Sequence, residues 1–188
     1  IEALIDQPLV TNGTDHLGKA RRISDATGRY IEFCKATLPT GLNLRGLKVV
    51  LDCAHGATYN AAPKVFKELG ASTITMGNEP NGFNINHQCG STHMAPLKAA
   101  VLAEKADLGV ALDGDGDRVL LVDENGVIVD GDELIYMIAQ YRHASAEGCN
   151  GVAGTQMSNL GLELALAKLG IPFARTKVGD RYVVEALK

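Results

Sequence analysis

The stretch that decides the fold is residues 108–118, which read LGVALDGDGDR. Its first five residues are apolar or small and predict a buried strand, and the next six hold carboxylates at Asp113, Asp115 and Asp117. The intervening glycines allow the backbone to curl, so that side chains at alternate positions can converge on one point. Three like charges so close raise one another's pKa, and a bound divalent cation removes that penalty. Ligands that offer only oxygen favour Mg²⁺, Mn²⁺ or Ca²⁺ over zinc.

Strands and helices alternate on both sides of this stretch. Before it, the apolar spacing predicts a helix over 14–38, strands over 48–52 and 72–76, and helices over 60–69 and 94–105. After it, strands over 119–122 and 127–129 flank an Asn-Gly turn, which is a strong hairpin signal. We then predict a helix over 132–142, a strand over 151–154, a helix from a Ser158 cap to residue 169, and a strand over 171–176. The pattern predicts an α/β fold of layered mixed sheets with flanking helices, in which ligands bind where strands end.

The hairpin also predicts where the chain divides. We expect one unit over residues 1–128, which carries the acidic stretch, and a second, truncated unit over residues 129–188. The first residue is Ile1 instead of methionine, and residues 183–188 resemble the start of a helix that is cut short. We therefore expect the chain to be a fragment of a longer protein.

Composition limits the classes of partner. The chain has 188 residues and a net charge of −4, and it lacks a run of Lys and Arg, so we expect no nucleic-acid partner. Its apolar stretches are too short to span a bilayer, so we expect no membrane partner. Its four cysteines form no C-x-x-C pair, which is typical of free thiols in a reducing compartment. We therefore expect a cytoplasmic protein.

The acidic stretch admits three interpretations. In an EF-hand calcium-binding module, the three aspartates and Glu124 would occupy loop positions 1, 3, 5 and 12. Against this, Arg118 stands in place of the turn glycine, and strands instead of helices flank the loop. In a haloacid-dehalogenase-type, Mg²⁺-dependent phosphatase, Asp113 would attack a phosphate as a nucleophile, but Asp117 replaces the usual Thr or Val and no later acidic pair is clear. In a phosphohexomutase, all six residues 113–118 match the metal-binding loop.

Further segments carry a resemblance to the phosphohexomutase superfamily along the whole chain. They read DCAHGAT at residues 52–58, PNGFNIN at 80–86, MSN at 157–159 and VGDRYV at 178–183. With these segments the chain resembles the central part of the glucosamine branch of that superfamily. Members have four domains, and the resemblance implies that this chain covers domain 2 and the first part of domain 3. His55 stands where the resemblance predicts asparagine.

The resemblance also implies a function for the full-length protein. It would be an isomerase that interconverts glucosamine 6-phosphate and glucosamine 1-phosphate through a phosphoserine and a bisphosphate intermediate, on the route to UDP-N-acetylglucosamine and the cell wall. The three aspartates would bind Mg²⁺, and Arg118 would be catalytic by holding phosphate oxygens, although a salt bridge to the aspartates is an alternative. Gly179, Asp180 and Arg181 would bind the phosphosugar substrate. A helix N-terminus capped by Asp180 is an equally good interpretation of that segment.

The same resemblance implies partners for the chain. They are the phosphosugar and the missing domains of its own chain, and we expect full-length members to form homodimers. The Ser-His-Asn loop that carries the phosphoserine in this superfamily does not occur in the sequence. We therefore expect the chain alone to be inactive.

Overall fold

The computed structural model describes residues 2–146 and 148–188. Its helices are α1 (Glu2–Ile5), α2 (Ala26–Lys35), α3 (Ala61–Glu68), α4 (Ala95–Glu104), α5 (Gly131–Ala144), α6 (Leu160–Lys168) and α7 (Asp180–Ala186). Its strands are β1 (Lys48–Asp52), β2 (Ser72–Met76), β3 (Leu108–Leu112), β4 (Val119–Asp123), β5 (Ile128–Val129), β6 (Val152–Thr155) and β7 (Phe173–Thr176). Short 3-10 turns lie at Thr14–His16, Ala57–Tyr59 and Gly90–Thr92.

The strands β1 to β5 form one sheet in the order β2-β1-β3-β4-β5. β1, β2 and β3 are parallel, because α3 and α4 carry the chain back between them, whereas β4 and β5 are antiparallel to their neighbours. Asp52 at the end of β1 lies opposite Met76 of β2 and Ala111 of β3, so the three parallel strands end at the same edge. The predicted α/β fold with layered mixed sheets is confirmed.

Both faces of this sheet are buried at its centre, in β1 and β3, because helices cover each face. Val49 and Leu51 of β1 lie in an apolar cluster together with Phe66 of α3. Val50, between them in sequence, belongs to the cluster on the other face, together with Leu97 of α4. Strands buried on both faces have nearly continuous apolar sequences, and β1 and β3 do. The sheet therefore gives the loops at its carboxyl edge a rigid base.

A second, two-stranded sheet follows the hairpin, which ends at Val129. β6 and β7 pair in parallel, and Leu166 of α6 and Ile171 belong to the apolar cluster beside them. α5 begins with a capping box, in which the Asp130 side chain accepts from the Glu133 N–H and the Glu133 side chain accepts in return. The division of the chain at residue 128 stays a prediction. Within the described residues, no helix is both long enough and apolar enough to cross a membrane.

The N-terminal helix is shorter than the one predicted over 14–38. α2 begins only at Ala26, and residues 3–30 are exposed throughout. Ile23 of the predicted apolar stripe is 66% exposed, whereas Ile31 within α2 is 4% exposed. Helices gain most of their stability by packing an amphipathic face, and within the described residues the first half of this segment buries no side chain. The prediction is therefore wrong for residues 14–25, apart from the 3-10 turn.

The start of α6 also differs from the prediction. Asn159 caps the helix, because its Oδ1 accepts a hydrogen bond from the Leu162 N–H at 2.8 Å. The Ser158 hydroxyl instead accepts a hydrogen bond from the Thr155 N–H at 3.3 Å. The predicted cap is therefore wrong by one residue.

Candidate metal and phosphate site

Three loops meet at the carboxyl edge of β1, β2 and β3. The first loop comprises residues 53–60, the second loop residues 77–94, and the acidic loop residues 113–118. In open α/β sheets, ligands bind at the carboxyl ends of the parallel strands. The acidic loop therefore lies where a binding site is expected.

Backbone contacts tie the acidic loop to its neighbours. The Ala57 N–H donates to the Gly114 carbonyl at 2.8 Å, which joins the first loop to the acidic loop. The Asn86 N–H donates to the Ala54 carbonyl at 2.9 Å, which joins the second loop to the first. Gly56 lies so close to the Gly114 carbonyl that a Cβ atom at this position would overlap it. The acidic loop thus has little room to shift relative to the first loop.

The structure brings the three predicted carboxylates together. Asp113, Asp115 and Asp117 each offer an oxygen, and these oxygens lie within 4.8 Å of one another. Asp113 is buried and the other two are exposed, while Gly116 has the left-handed φ of +78° that the predicted curl needs. Two ligands of one Mg²⁺ lie at most about 4.2 Å apart, because each Mg–O bond is about 2.1 Å. A small contraction would bring the three oxygens into that range, so the donor set fits a hard cation such as Mg²⁺.

Arg118, the last residue of the acidic loop, donates hydrogen bonds to Asp113, the first. The Arg118 Nε donates to Asp113 Oδ2 at 2.8 Å, and the Arg118 backbone N–H donates to Asp113 Oδ1 at 3.1 Å. The same Nε lies 3.7 Å from Asp117 Oδ1. The salt bridge considered as an alternative role for Arg118 is therefore present. The guanidinium remains accessible as well, because the Arg118 side chain is 66% exposed.

These charges shift two carboxyl pKa values in opposite directions. Burial raises the pKa of Asp113, but the hydrogen bonds and charge of Arg118 outweigh burial and leave that pKa below its ordinary value. The pKa of Asp117 is raised, first by desolvation and then by the negative charges of Asp115 and Asp113. One guanidinium thus faces three carboxylates. The remaining negative charge is what a bound cation would neutralise.

A fourth carboxylate, Asp52, has a role that sequence analysis missed. It ends β1 and is fully buried. Its Oδ1 accepts a hydrogen bond from the Ala54 N–H at 3.0 Å, and its Oδ2 accepts one from the Gly90 N–H at 2.7 Å. Asp52 therefore connects the first loop to the second loop. The signal in the sequence is an acidic residue at the end of an apolar run, since a buried carboxylate needs hydrogen-bond partners.

His55, which replaces the asparagine that the resemblance predicts, lies in the first loop with a left-handed φ of +50°. Asn, Asp and His are the side-chain-bearing residues most often found in that conformation, so histidine can occupy the position of asparagine. The His55 Nδ1 accepts a hydrogen bond from the Glu79 N–H at 3.2 Å. His55 is therefore a further link between the first and second loops.

Two cavities border the acidic loop. One, of about 370 Å³, lies beside Arg118 and is also lined by Ser91 and Thr92 of the second loop. The other, of about 580 Å³, lies between α2 and α3 and reaches Asp115. An anionic group that enters the smaller cavity would meet the exposed guanidinium.

The second group of predicted site residues begins α7. Gly179 occupies the cap position with a φ of +130°, and Asp180 is the first helical residue. The predicted Asp180 cap is therefore wrong by one residue, although Asp180 Oδ1 accepts a hydrogen bond from the Arg181 N–H at 2.7 Å. Arg181 Nε donates to Glu185 Oε1 at 3.1 Å. For the residues that the structure describes, no hydrogen bond or ion pair joins this group to the acidic loop, and its substrate role stays a prediction.

The fold and the acidic loop together define the class of the protein. The sequence matches the family model for phosphoglucomutase/phosphomannomutase alpha/beta/alpha domain II over residues 28–126. It matches the model for alpha/beta/alpha domain III of the same family over residues 130–188. The chain belongs to the phosphoglucomutase/phosphomannomutase family.

Within this family the chain is similar in sequence to phosphoglucosamine mutases. It is 61% identical over 187 residues to the phosphoglucosamine mutase of Pseudomonas fluorescens (strain Pf0-1). It is 60% identical over 188 residues to that of Cellvibrio japonicus (strain Ueda107). Each comparison covers 100% of this chain but 42% of the relative, so the chain spans less than half the length of these relatives. The resemblance to the glucosamine branch is confirmed.

Solved structures share the fold. A phosphoglucomutase/phosphomannomutase family protein from Burkholderia thailandensis has a TM-score of 0.69 at 24% identity, over 86% of this chain and 35% of that one. A structure described as a phosphomannomutase from Thermus thermophilus has a TM-score of 0.67 at 21% identity, over 81% of this chain and 36% of that one. At these identities the likeness supports the fold alone.

Proposed function

We propose that the chain is part of a cytoplasmic phosphoglucosamine mutase that interconverts glucosamine 6-phosphate and glucosamine 1-phosphate. In this proposal, the complete protein carries a phosphoserine outside this chain, passes through a bisphosphate intermediate and supplies the route to UDP-N-acetylglucosamine and the cell wall. Identities of 60–61% across the whole chain to relatives of that name support it. The observation that carries it is the convergence of three carboxylates beside Arg118 at the carboxyl edge of the sheet.

The residues of the acidic loop suit phosphoryl transfer, which needs positioning and charge compensation more than covalent chemistry. The three aspartates would hold Mg²⁺, which when bound would offset negative charge on the transferred phosphoryl group. Asp113 holds the Arg118 Nε and so restrains the guanidinium plane. The two terminal nitrogens of Arg118 are then the donors for phosphate oxygens in the neighbouring cavity.

Substrate binding in this proposal also involves the start of α7. Gly179, Asp180 and Arg181 would contact the phosphosugar from the second unit, residues 129–188. Arg181 is suited to this, because its side chain is 72% exposed while Glu185 holds its Nε. The cleft would be completed by the missing domains, and the complete protein would form a homodimer.

The calcium-module interpretation requires Glu124 to join the three aspartates. Glu124 lies in the turn after β4, and a strand of five residues is about 17 Å long. The length of β4 therefore separates Glu124 from the acidic loop. The phosphatase interpretation requires a later acidic pair that shares Mg²⁺ with Asp113, but among the described residues the carboxylate cluster comprises Asp113, Asp115 and Asp117 of the acidic loop alone. The geometry therefore favours the mutase interpretation over both alternatives.

Calorimetric titration of the chain with Mg²⁺ tests the metal site. Asp115→Asn and Glu124→Gln each remove one negative charge from an exposed carboxylate, which makes them a matched pair. We expect Asp115→Asn to weaken Mg²⁺ binding by about 10-fold or more, since even outer hydrogen-bond partners of metal sites contribute that much. Glu124→Gln should leave the affinity unchanged. Equal losses in the two variants would support the calcium-module interpretation and contradict ours.

Activity assays test the reaction. The 188-residue chain should not convert glucosamine 6-phosphate, whereas the complete protein should, with a lower kcat after Asp115→Asn. Turnover of glucosamine 6-phosphate by the chain alone would contradict the assignment of the phosphoserine to another part of the protein. Mg²⁺-dependent phosphate release from p-nitrophenyl phosphate, abolished by Asp113→Asn, would support the phosphatase instead.

A further inference from the structure

Asp52 is a buried carboxylate that the proposed reaction does not use. It is 0% exposed, and within the described residues no cationic side chain pairs with it. Its two oxygens are instead occupied by backbone N–H groups from two different loops, at 3.0 Å and 2.7 Å. Burying a charge without a counter-charge is unfavourable unless hydrogen bonds compensate for it. Apolar packing therefore does not explain why a carboxylate stands at the end of this strand.

Asp52 acts on the first loop through Ala54. Ala54 and His55 both have left-handed backbones, with φ of +53° and +50°, which are unfavourable for residues other than glycine. The hydrogen bond from the Ala54 N–H to Asp52 holds this turn in place. Three residues after Ala54, the Ala57 N–H donates to the Gly114 carbonyl. The turn that Asp52 holds therefore sets the position of the acidic loop.

Asp52 acts on the second loop through Gly90. A Cβ atom at Gly90 would lie 2.5 Å from the carbonyl oxygen of Leu112, the residue before Asp113. The hydrogen bond from the Gly90 N–H to Asp52 thus keeps the second loop against the end of β3. Asn86 of the same loop lies against Gly114, where its Nδ2 would be 2.7 Å from an added Cβ. The first and second loops therefore both contact the acidic loop, and each of them donates a hydrogen bond to Asp52.

Two buried cysteines, Cys53 and Cys89, lie near Asp52. Burial raises the pKa of the Cys53 thiol to about 11, the nearby Thr58 hydroxyl opposes this increase, and the charge of Asp52 adds to it. Burial and the same charge raise the pKa of the Cys89 thiol. Both thiols stay protonated near neutral pH, so they do not bring a second negative charge to Asp52.

We infer that Asp52 is a positioning residue for the acidic loop: its two hydrogen bonds fix the first and second loops, and these loops fix the spacing of the three carboxylates. The part of this inference that concerns Mg²⁺ rests on the proposed function. The part that concerns the order of the acidic loop does not, and it can be tested without a metal.

The variant Asp52→Asn tests the inference. Asparagine keeps the shape of the aspartate side chain but has only one acceptor oxygen. Its NH₂ group must therefore face one of the two backbone N–H donors, which then loses its hydrogen bond. We expect the Kd for Mg²⁺, measured by calorimetry, to rise by about 10-fold. We also expect the amides of Gly114, Gly116 and Arg118 to exchange hydrogen faster in the absence of metal.

Val49→Ala is the matched control. Val49 is buried on the same strand, in the apolar cluster on the α3 side. Its truncation removes packing atoms from that cluster and leaves the two hydrogen bonds to Asp52 in place. The two variants are compared at urea concentrations that leave the same fraction of each protein folded. A purely structural role for Asp52 would give equal exchange in the acidic loop at equal global stability.

A second variant keeps the inference testable if Asp52→Asn does not fold. Ala57 is exposed at the start of the 3-10 turn, and Ala57→Pro removes its N–H and places a ring carbon against the Gly114 carbonyl. We expect weaker Mg²⁺ binding and faster exchange in the acidic loop.

Three outcomes decide the matter. Faster exchange in Asp52→Asn than in Val49→Ala, or in Ala57→Pro where Asp52→Asn is unfolded, supports the inference. Equal exchange in the variant and the control overturns it, whatever the Mg²⁺ affinities are. If the wild-type chain binds no Mg²⁺, the metal part of the proposed function fails, and the exchange rates alone decide whether Asp52 orders the loop.

Discussion

Gly90→Ala measures how closely the second loop packs on the end of β3. Gly90 has a φ of +72°, and a Cβ there would lie 2.5 Å from the Leu112 carbonyl oxygen and 2.6 Å from the Ala54 Cβ. Gly82, in the same loop, has a φ of +89° and no atom within 4 Å of its Cβ position. Both substitutions place alanine in a left-handed conformation, but only Gly90→Ala adds a collision. Gly82→Ala is therefore a matched control for the backbone.

The expected loss of stability is the cost of the left-handed backbone in both variants, to which Gly90→Ala adds the cost of the collision. A left-handed backbone costs an L residue about 1–2 kcal/mol, and the lower entropy of the unfolded chain after Gly→Ala returns about 0.4–1 kcal/mol. Gly82→Ala should therefore destabilise the protein by roughly 1 kcal/mol. Gly90→Ala should lose a further 1–3 kcal/mol or so, because overpacking a close-packed interior costs about that much. Leu112 supplies a backbone atom, which cannot rotate away as a side chain could.

Urea denaturation followed by far-UV circular dichroism measures both free energies of unfolding. We expect Gly90→Ala to be less stable than Gly82→Ala by about 1–3 kcal/mol, together with weaker Mg²⁺ binding in Gly90→Ala alone. If the two variants unfold at the same urea concentration, the second loop yields to the added methyl group. The close approach at Gly90 would then not restrain the acidic loop, and the reasoning that connects them would fail.

Two further predictions concern the ends of other elements. The Val127 N–H donates to Asp123 at 2.7 Å and lowers the pKa of Asp123 below its ordinary value of 3.8. The ionised carboxylate therefore stabilises the hairpin above pH 3.8, and this contribution is lost as the pH falls through the lowered pKa. The stability difference between wild type and Asp123→Ala, from urea titrations, should therefore shrink between neutral pH and about pH 3, and a constant difference would contradict this. Asn159→Ala should cost about 1 kcal/mol in thermal unfolding, because the Leu162 N–H loses its acceptor, while Ser158→Ala should cost clearly less. Equal losses in the two variants would show that Asn159 is not the effective cap.

The sheet could be predicted from sequence because its signals are local. The strands predicted over 48–52, 72–76 and 108–112 are β1, β2 and β3 residue for residue. The runs of β1 and β3 are apolar and buried on both faces, whereas the run of β2 alternates and is rich in β-branched residues. The convergence of three carboxylates was also predictable, since they lie within five residues of one another and alternate with glycines.

The supports of the acidic loop could not be predicted, because they join distant parts of the chain. Asp52 and Gly90 are 38 residues apart in sequence, and no local sequence pattern includes both of them. The first half of the predicted helix over 14–38 failed for a related reason: periodicity shows an apolar stripe but not whether a partner covers it. The cap of α6 was misplaced because Ser158 and Asn159 are both good capping residues, and only the fold decides between them.

The joints between the three loops are made largely from main-chain atoms, and this determines which kinds of change the site tolerates. Phe83 in the second loop is 94% exposed, so replacing its side chain should leave the site intact. Inserting a single residue between Ala54 and Ala57 would instead move the Ala57 N–H away from the Gly114 carbonyl. The architecture thus tolerates changes of exposed side chains on these loops, but not changes in the number of residues that each loop contains.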